Sequence, residues 1–193
     1  MRLVKSGFLV IFLFSLLGMP SLFAQSLQLN NEQSELNITG TSSLHDWNVN
    51  ANSLSGEGLF TIKSDTLTDI TKLTFFVSVD GLKGEKPGMD KKIQSALDVS
   101  KQKTIAYQFE KIIKIYTINA HTFTTETSGL LTVAGTTKKI NLLLTITIEN
   151  KTIRIKGEKN LKMTDFNILR PKALLGMLKT GDDVKVAFNV LYQ

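Results

Sequence analysis

One short stretch of the sequence carries the side chains best suited to chemistry. In Gly40-Thr41-Ser42-Ser43-Leu44-His45-Asp46-Trp47, a histidine and a carboxylate stand beside two serines and the only tryptophan. Serine, histidine and aspartate hydrolyse bonds only when the fold gives them triad geometry, and the sequence has no G-x-S-x-G nucleophile elbow. His45 and Asp46 could instead bind a ligand headgroup, or they could only hold a backbone corner. We therefore expect a protein that is not an enzyme, with both of these roles open.

The remaining polar residues offer little for metal or redox chemistry. His121, the second histidine, is far from the first, and the chain has no cysteine. Two isolated histidines do not make a zinc or haem site, so we expect no metal and no cofactor. The lack of cysteine also excludes disulfides and cysteine-linked lipidation. Arg170, beside Pro171, is a further headgroup candidate because a cation there could pair with a phosphate or carboxylate.

Alternation of apolar and polar residues predicts the elements that position these groups. A period of two, typical of half-buried strands, runs from Leu27 to the C-terminus and suggests eight or nine strands. Helical spacing occurs only over Pro87–Leu97, and Pro171 and Gly176 limit Asp165–Leu178 to a turn or short helix. The sequence thus predicts an all-β domain, either a sandwich or an antiparallel barrel of about eight strands with one or two short helices. Such a barrel is either filled or holds one small ligand, and both options stay open.

The N-terminus has the pattern of an export signal. Arg2 and Lys5 precede the apolar run Phe8–Leu17, and Gly18 and Pro20 follow it. This is the order of a secretory signal peptide, and the run is too short to span a bilayer. We predict cleavage after Ala24, which leaves residues 25–193 as one domain and lowers the net charge from +6 to +4. We expect a soluble periplasmic protein that is not a lipoprotein, and this location argues against a nucleic-acid partner.

Four segments, taken together, resemble the YceI-like family of exported lipid-binding proteins, in particular its branch in Bacteroidetes-type bacteria. Their order and spacing carry the resemblance over nearly the whole mature chain. The segments are Gly40 to Trp47, Gly88 to Phe109, Gly129 to Lys138, and Leu161 to Asp182. The resemblance implies a lipocalin-like barrel with an elongated apolar interior. It also implies binding of an isoprenoid or similar amphiphile without catalysis.

We therefore expect a periplasmic carrier that holds an isoprenoid-like or other long-chain lipid in a barrel cavity. The alternative is a non-catalytic envelope stress or interaction protein with a filled barrel. A homodimer and a transient contact with a membrane surface also stay open. His45, Asp46 and Arg170 are the headgroup candidates. The candidates for the apolar cavity wall are Trp47, Phe75, Val77, Phe109, Leu144, Ile146, Val186 and Phe188.

Overall fold

A computed structural model describes residues 23–64, 66–86, 88–173 and 178–193. The predicted signal peptide, residues 1–24, lies outside this part of the chain except for Phe23 and Ala24, which begin the first strand. Within the described residues, no helix has the length and apolar character needed to cross a membrane.

The structure confirms the all-β prediction, with twelve strands and one α-helix among the described residues. Two 3-10 turns, Val79–Gly81 and Met163–Phe166, interrupt the connections. The elements are β1 Phe23–Ser42, β2 Trp47–Ala51, β3 Leu54–Ser55, β4 Glu57–Lys63, β5 Thr66–Ser78, β6 Leu82–Gly84, α1 Met89–Ala96, β7 Thr104–Asn119, β8 Thr122–Val133, β9 Thr136–Glu149, β10 Thr152–Lys162, β11 Lys172–Ala173 and β12 Leu178–Tyr192.

Eight antiparallel strands close into a barrel in the order β1-β4-β5-β7-β8-β9-β10-β12, and β12 pairs back onto β1. The long strand β1 makes this closure possible because it changes partner along its length. Its first part pairs with β4 up to Gln28, and from Leu29 onward it pairs with β12. Closure leaves few free sheet edges. The short strands β2 and β6 extend the sheet beside β1.

Two tight hairpins connect β8 to β9 and β9 to β10. Asn150 and Lys151, between β9 and β10, both have positive φ angles of 47° and 69°. Ala134 and Gly135, between β8 and β9, have φ angles of 47° and 78°. Positive φ at both central residues is the geometry whose twist suits a two-residue hairpin.

The two segments for which the sequence predicts a helix or a turn differ in the structure. The helix expected over Pro87–Leu97 is confirmed as α1, with Pro87 itself outside the described residues. In the segment Asp165–Leu178, the structure has the 3-10 turn that ends at Phe166, followed by the short strand β11. Residues 174–177 of this segment are outside the described part of the chain.

The barrel end far from α1 is packed solid. Four of its largest side chains, Phe60, Phe123, Ile146 and Tyr192, are at most 1% exposed. Phe60 and Tyr192 meet edge to face with ring centroids 6.0 Å apart. The Tyr192 hydroxyl donates to the Thr74 carbonyl at 2.9 Å, so this buried polar atom is satisfied.

Backbone pairing is incomplete along the seam between β9 and β10. The ladder between β9 and β10 runs from Glu149↔Thr152 to Leu144↔Gly157 and ends there. Beyond Gly157, β10 pairs with β12 alone among the described residues. The Lys159 side chain bridges this seam, because its Nζ donates to the Asn141 carbonyl at 2.9 Å.

Candidate ligand-binding cavity

The barrel end near α1 encloses an apolar cavity of about 210 Å³. Side chains from strands on all sides of the barrel line it, and α1 and the segment Met163–Pro171 contribute the wall at its mouth. The wall presents no polar surface to the cavity. The lining includes Leu36, Ile38, Trp47, Val49, Phe75, Val77, Ile93, Leu97, Ile105, Leu131, Leu142, Leu161, Phe166, Ile168, Val184, Val186 and Phe188. Such a space is suited to hydrocarbon, because apolar ligands bind in concave, mostly apolar sites.

A second cavity of about 40 Å³ lies deeper in the barrel. It shares Phe75, Tyr107 and Phe188 with the main cavity as lining. Its remaining wall comes from Leu73, Leu144, Ile155, Val190 and Tyr192. The barrel therefore changes from hollow to packed along its axis, with three aromatic side chains at the division.

The two cavities account for six of the eight cavity residues predicted from the sequence. Trp47, Phe75, Val77, Val186 and Phe188 line the main cavity, and Phe75 and Phe188 also line the deeper one. Leu144 lines only the deeper cavity.

Two further candidates, Phe109 and Ile146, line neither cavity. Ile146 is fully buried in the packed end, and Phe109 is a half-buried residue against the core. Tyr107, Leu131 and the residues of α1 were not among the candidates. The alternation of apolar residues along β7 and β8 and the helical spacing of Ile93, Ala96 and Leu97 are the sequence signals that could have identified them.

Trp47 joins a backbone corner to the cavity wall. It is the register partner of Gly40 in the β1–β2 hairpin, and its indole lies over that glycine. A Cβ atom at Gly40 would sit 2.2 Å from Trp47 Cζ2, so only glycine fits beneath the ring. The indole Nε1 donates to the Thr41 carbonyl at 2.9 Å. The motif around His45 thus includes a structural corner whose aromatic side chain also faces the cavity.

His45 and Asp46 are exposed, and neither lines the main cavity. His45 Nδ1 lies 2.8 Å from the Asp46 carbonyl, which can only accept, so Nδ1 carries the proton. The other ring nitrogen, Nε2, then accepts from Lys86 Nζ at 2.6 Å. Nδ1 is therefore used within the loop after β1, and Nε2 holds this loop against the loop before α1. Asp46 lines a surface depression on the outer side of Trp47, together with Glu85 and Asp183.

Two carboxylates fasten the elements at the cavity mouth. Asp90 of α1 accepts from the Gly84 backbone at 2.9 Å and pairs with Lys83 at 3.1 Å. Asp182 of β12 accepts from the Thr164 backbone and hydroxyl at 3.0 and 2.6 Å. The Gly84 amide and then Lys83 hold the pKa of Asp90 below its ordinary value. The Thr164 hydroxyl and amide do the same for the pKa of Asp182, with a smaller contribution from Arg170.

Two lysines, Lys159 and Lys162, line the main cavity, and Arg170 lies beside two lining residues in the chain. Arg170 is exposed and stands between Ile168 and Pro171, both of which line the main cavity. Lys159 was not a candidate, yet it lines the cavity with its aliphatic stem and lies opposite Val186 in register. Strand alternation could have identified it, since it is two residues before Leu161 and so on the same face.

Tyr107 carries the one buried tyrosine hydroxyl without a hydrogen-bond partner among the described residues. Burial raises the pKa of this phenol, and the nearby Thr127 hydroxyl offsets part of the effect. The Thr127 hydroxyl itself donates to the Leu142 carbonyl at 3.2 Å. Tyr107 therefore keeps its polar atom in an apolar wall without the bond that usually accompanies such burial.

Comparison with known proteins is consistent with this architecture. No curated protein matches the sequence. Burkholderia cenocepacia BcnA shares 11% identity at a TM-score of 0.67, covering 84% of this chain and 98% of that chain. A polyisoprenoid binding domain from Saccharophagus degradans, implicated in plant cell wall breakdown, shares 13% identity at a TM-score of 0.68, covering 89% and 99%. The Campylobacter jejuni YCEI protein shares 18% identity at a TM-score of 0.56, covering 74% and 82%.

At these identities the likeness to solved structures concerns the fold. The family model of the YceI-like domain matches residues 27–192, which is almost the whole described chain. This protein therefore belongs to the YceI-like domain family.

Proposed function

We propose that this protein is an exported carrier that holds a long-chain, isoprenoid-like lipid with its tail in the main cavity. The observation that carries the proposal is the apolar cavity of about 210 Å³ beneath α1. Membership of the YceI-like family supports it, as does the likeness in fold to a polyisoprenoid binding domain. The predicted signal peptide supports a periplasmic location.

The energetics favour a hydrocarbon tail. Each buried methylene contributes about 0.8 kcal/mol, so a five-carbon unit contributes roughly 4 kcal/mol before the costs of ordering and association. A tail can therefore bind well in a wall that offers no hydrogen bonds. This is why the chain needs no charged pocket to be a lipid carrier.

In this proposal the headgroup stays at the mouth, outside the apolar space. Arg170 is placed to meet an anionic headgroup because its neighbours Ile168 and Pro171 belong to the cavity wall. His45 and Asp46 lie on the outer side of the corner that Trp47 makes, so they act on the headgroup through the shape of that corner. Replacing Arg170 by Gln should weaken binding of a fatty acid more than binding of the fatty alcohol of equal length.

The test begins with the mature chain purified from an exporting cell. Native mass spectrometry should detect an apolar molecule of several hundred daltons bound to the protein, and organic extraction should release it. Reloading of the extracted protein with a polyprenol can be followed by fluorescence, because the only tryptophan, Trp47, lines the cavity.

A pair of matched variants separates cavity binding from surface adsorption. Val186→Phe adds a ring to the cavity wall and should reduce polyprenol uptake at least tenfold. Leu143→Phe adds a ring at a position that is 59% exposed on the outside of β9, and uptake should be unchanged. A protein that leaves the cell without lipid and takes up none in vitro would contradict the proposal and favour an interaction protein.

A further inference from the structure

Three aromatic side chains separate the main cavity from the small one beneath it. Phe75 and Tyr107 are direct register partners on β5 and β7, and Phe188 projects from β12. The rings of Phe75 and Phe188 are tilted by 32° with centroids 6.2 Å apart. Because all three residues line both cavities, they form the floor of one and the ceiling of the other. We call these three side chains the aromatic partition.

Glycines on neighbouring strands hold the partition against the barrel wall. Phe188 pairs in register with Gly157, and a Cβ at Gly157 would lie 2.6 Å from the Phe188 ring. A Cβ at Gly129 would lie 2.5 Å from the Tyr107 hydroxyl oxygen. Each ring therefore occupies the space that a side chain on the adjacent strand would fill. Movement of the Phe188 ring away from Gly157 would bring the ring further into the bore.

Little space exists below the partition. The deeper cavity has about one fifth of the volume of the main one, 40 against 210 Å³. Its lower wall includes Leu144, Ile155 and Tyr192, which are at most 2% exposed. Beyond them lie the packed side chains of the closed end. A tail that enters from the α1 side therefore meets the partition before it meets the end of the barrel.

We propose that Phe75, Tyr107 and Phe188 determine the longest tail that the protein accepts. The inference rests on the proposed function, because it assumes that a tail occupies the main cavity. Affinity should rise about fourfold with each methylene that enters this space. The rise should stop at the length at which the tail reaches the partition. The deeper cavity stays closed to the tail while the three rings are in place.

Competition among chain lengths tests the proposal directly. Delipidated protein is mixed with equimolar primary alcohols of eight to twenty-two carbons, and the alcohols retained after gel filtration are measured by mass spectrometry. The wild-type protein should show an upper length limit. Phe188→Ala joins the two cavities and should raise that limit by about four carbons or more, since the change removes six ring carbons.

Two other variants test whether the length limit depends on the partition. Gly157→Ala pushes the Phe188 ring into the bore and should lower the length limit or reduce retention of the longest alcohols. Phe76→Ala also removes a phenyl ring from β5, at the residue next to Phe75. Because Phe76 is 37% exposed on the outer face, the length limit should not change. If Phe188→Ala does not unfold cooperatively, Phe188→Leu and Phe75→Leu replace it. Each of them removes a ring from the partition and keeps an apolar side chain.

The retention experiment distinguishes failure of the proposed function from failure of the role assigned to the partition. A wild-type protein that retains no alcohol of any length would overturn the proposed function. Retention with the same length limit in the wild type and in every folded partition variant would overturn the role of the partition and leave the proposed function standing.

Discussion

Substitution of Gly40 by alanine tests the corner that places Trp47 in the cavity wall. The added Cβ would lie 2.2, 2.7 and 2.9 Å from three carbons of the indole, so the ring has to leave its site. Overpacking of this kind costs roughly 1–3 kcal/mol. The displaced indole also loses its hydrogen bond to the Thr41 carbonyl, which adds about 1 kcal/mol. The expected total is about 2–4 kcal/mol.

Thermal unfolding followed by far-UV circular dichroism measures this cost. For a domain of this size, 1 kcal/mol shifts Tm by about 2–4 °C, so Gly40→Ala should lower Tm by roughly 4–16 °C. Gly88→Ala is the control. Gly88 has a φ of 77° and nothing within 4 Å of an added Cβ. The Gly88→Ala variant should therefore lose only the roughly 1–2 kcal/mol that a left-handed backbone conformation costs alanine.

A double-mutant cycle identifies the indole as the cause. In a Trp47→Phe background the ring is smaller, and Gly40→Ala should cost about 1–2 kcal/mol less than in the wild type. The Gly88→Ala cost should be the same in both backgrounds. Costs for Gly40→Ala and Trp47→Phe that add within about 0.5 kcal/mol would refute the contact described here, because independent sites add and touching ones do not.

Further predictions concern the buried tyrosines and the loss of folding stability at acidic pH. Tyr107→Phe should leave Tm unchanged or raise it, because the Tyr107 hydroxyl has no hydrogen-bond partner among the described residues. Tyr192→Phe should cost about 1 kcal/mol, because it removes the hydrogen bond to the Thr74 carbonyl. Equal effects of the two substitutions on Tm would contradict this. The pKa of Asp182 is lowered in the folded state, so its contribution to stability is present above about pH 4 and disappears as the pH falls through the folded pKa. Urea unfolding between pH 6 and pH 2 should therefore show a shallower acid loss in Asp182→Asn than in the wild type, and parallel curves would show that this carboxylate does not contribute.

The strands could be predicted from the sequence because one face of each is buried. Leu142, Leu144, Ile146 and Ile148 alternate with exposed or half-buried residues along β9, and the structure buries all four. Period two thus predicts which residues point inward. It does not predict how far along the axis each one lies, so Ile146 in the packed end and Leu142 in the cavity wall look the same in the sequence.

The short elements and the polar contacts were harder to predict from the sequence. Val79 continues the apolar alternation of β5, yet β5 ends at Ser78 and Val79 begins a 3-10 turn. The Val79 amide donates to the carbonyl of Lys103, the residue before β7, at 2.9 Å. The pairing of His45 with Lys86 joins residues 41 positions apart. Such a contact depends on how two loops meet at the barrel mouth, which local patterns do not encode.

The interrupted ladder between β9 and β10 bears on the thickness of the tail that the proposed function assigns to the main cavity. At the cavity end, side-chain contacts complete this side of the barrel in place of a row of backbone bonds. Lys159 reaches the Asn141 carbonyl, and β9 is held to the segment after β10 by Lys138 with Asp165 and by Asn167 with Thr136. Lengthening of these side-chain contacts would let the two strands separate without breaking any rung of the β9–β10 or β10–β12 ladder. Under the proposed function, a methyl-branched chain, which is thicker than a straight one, would be accommodated by a small expansion at this joint.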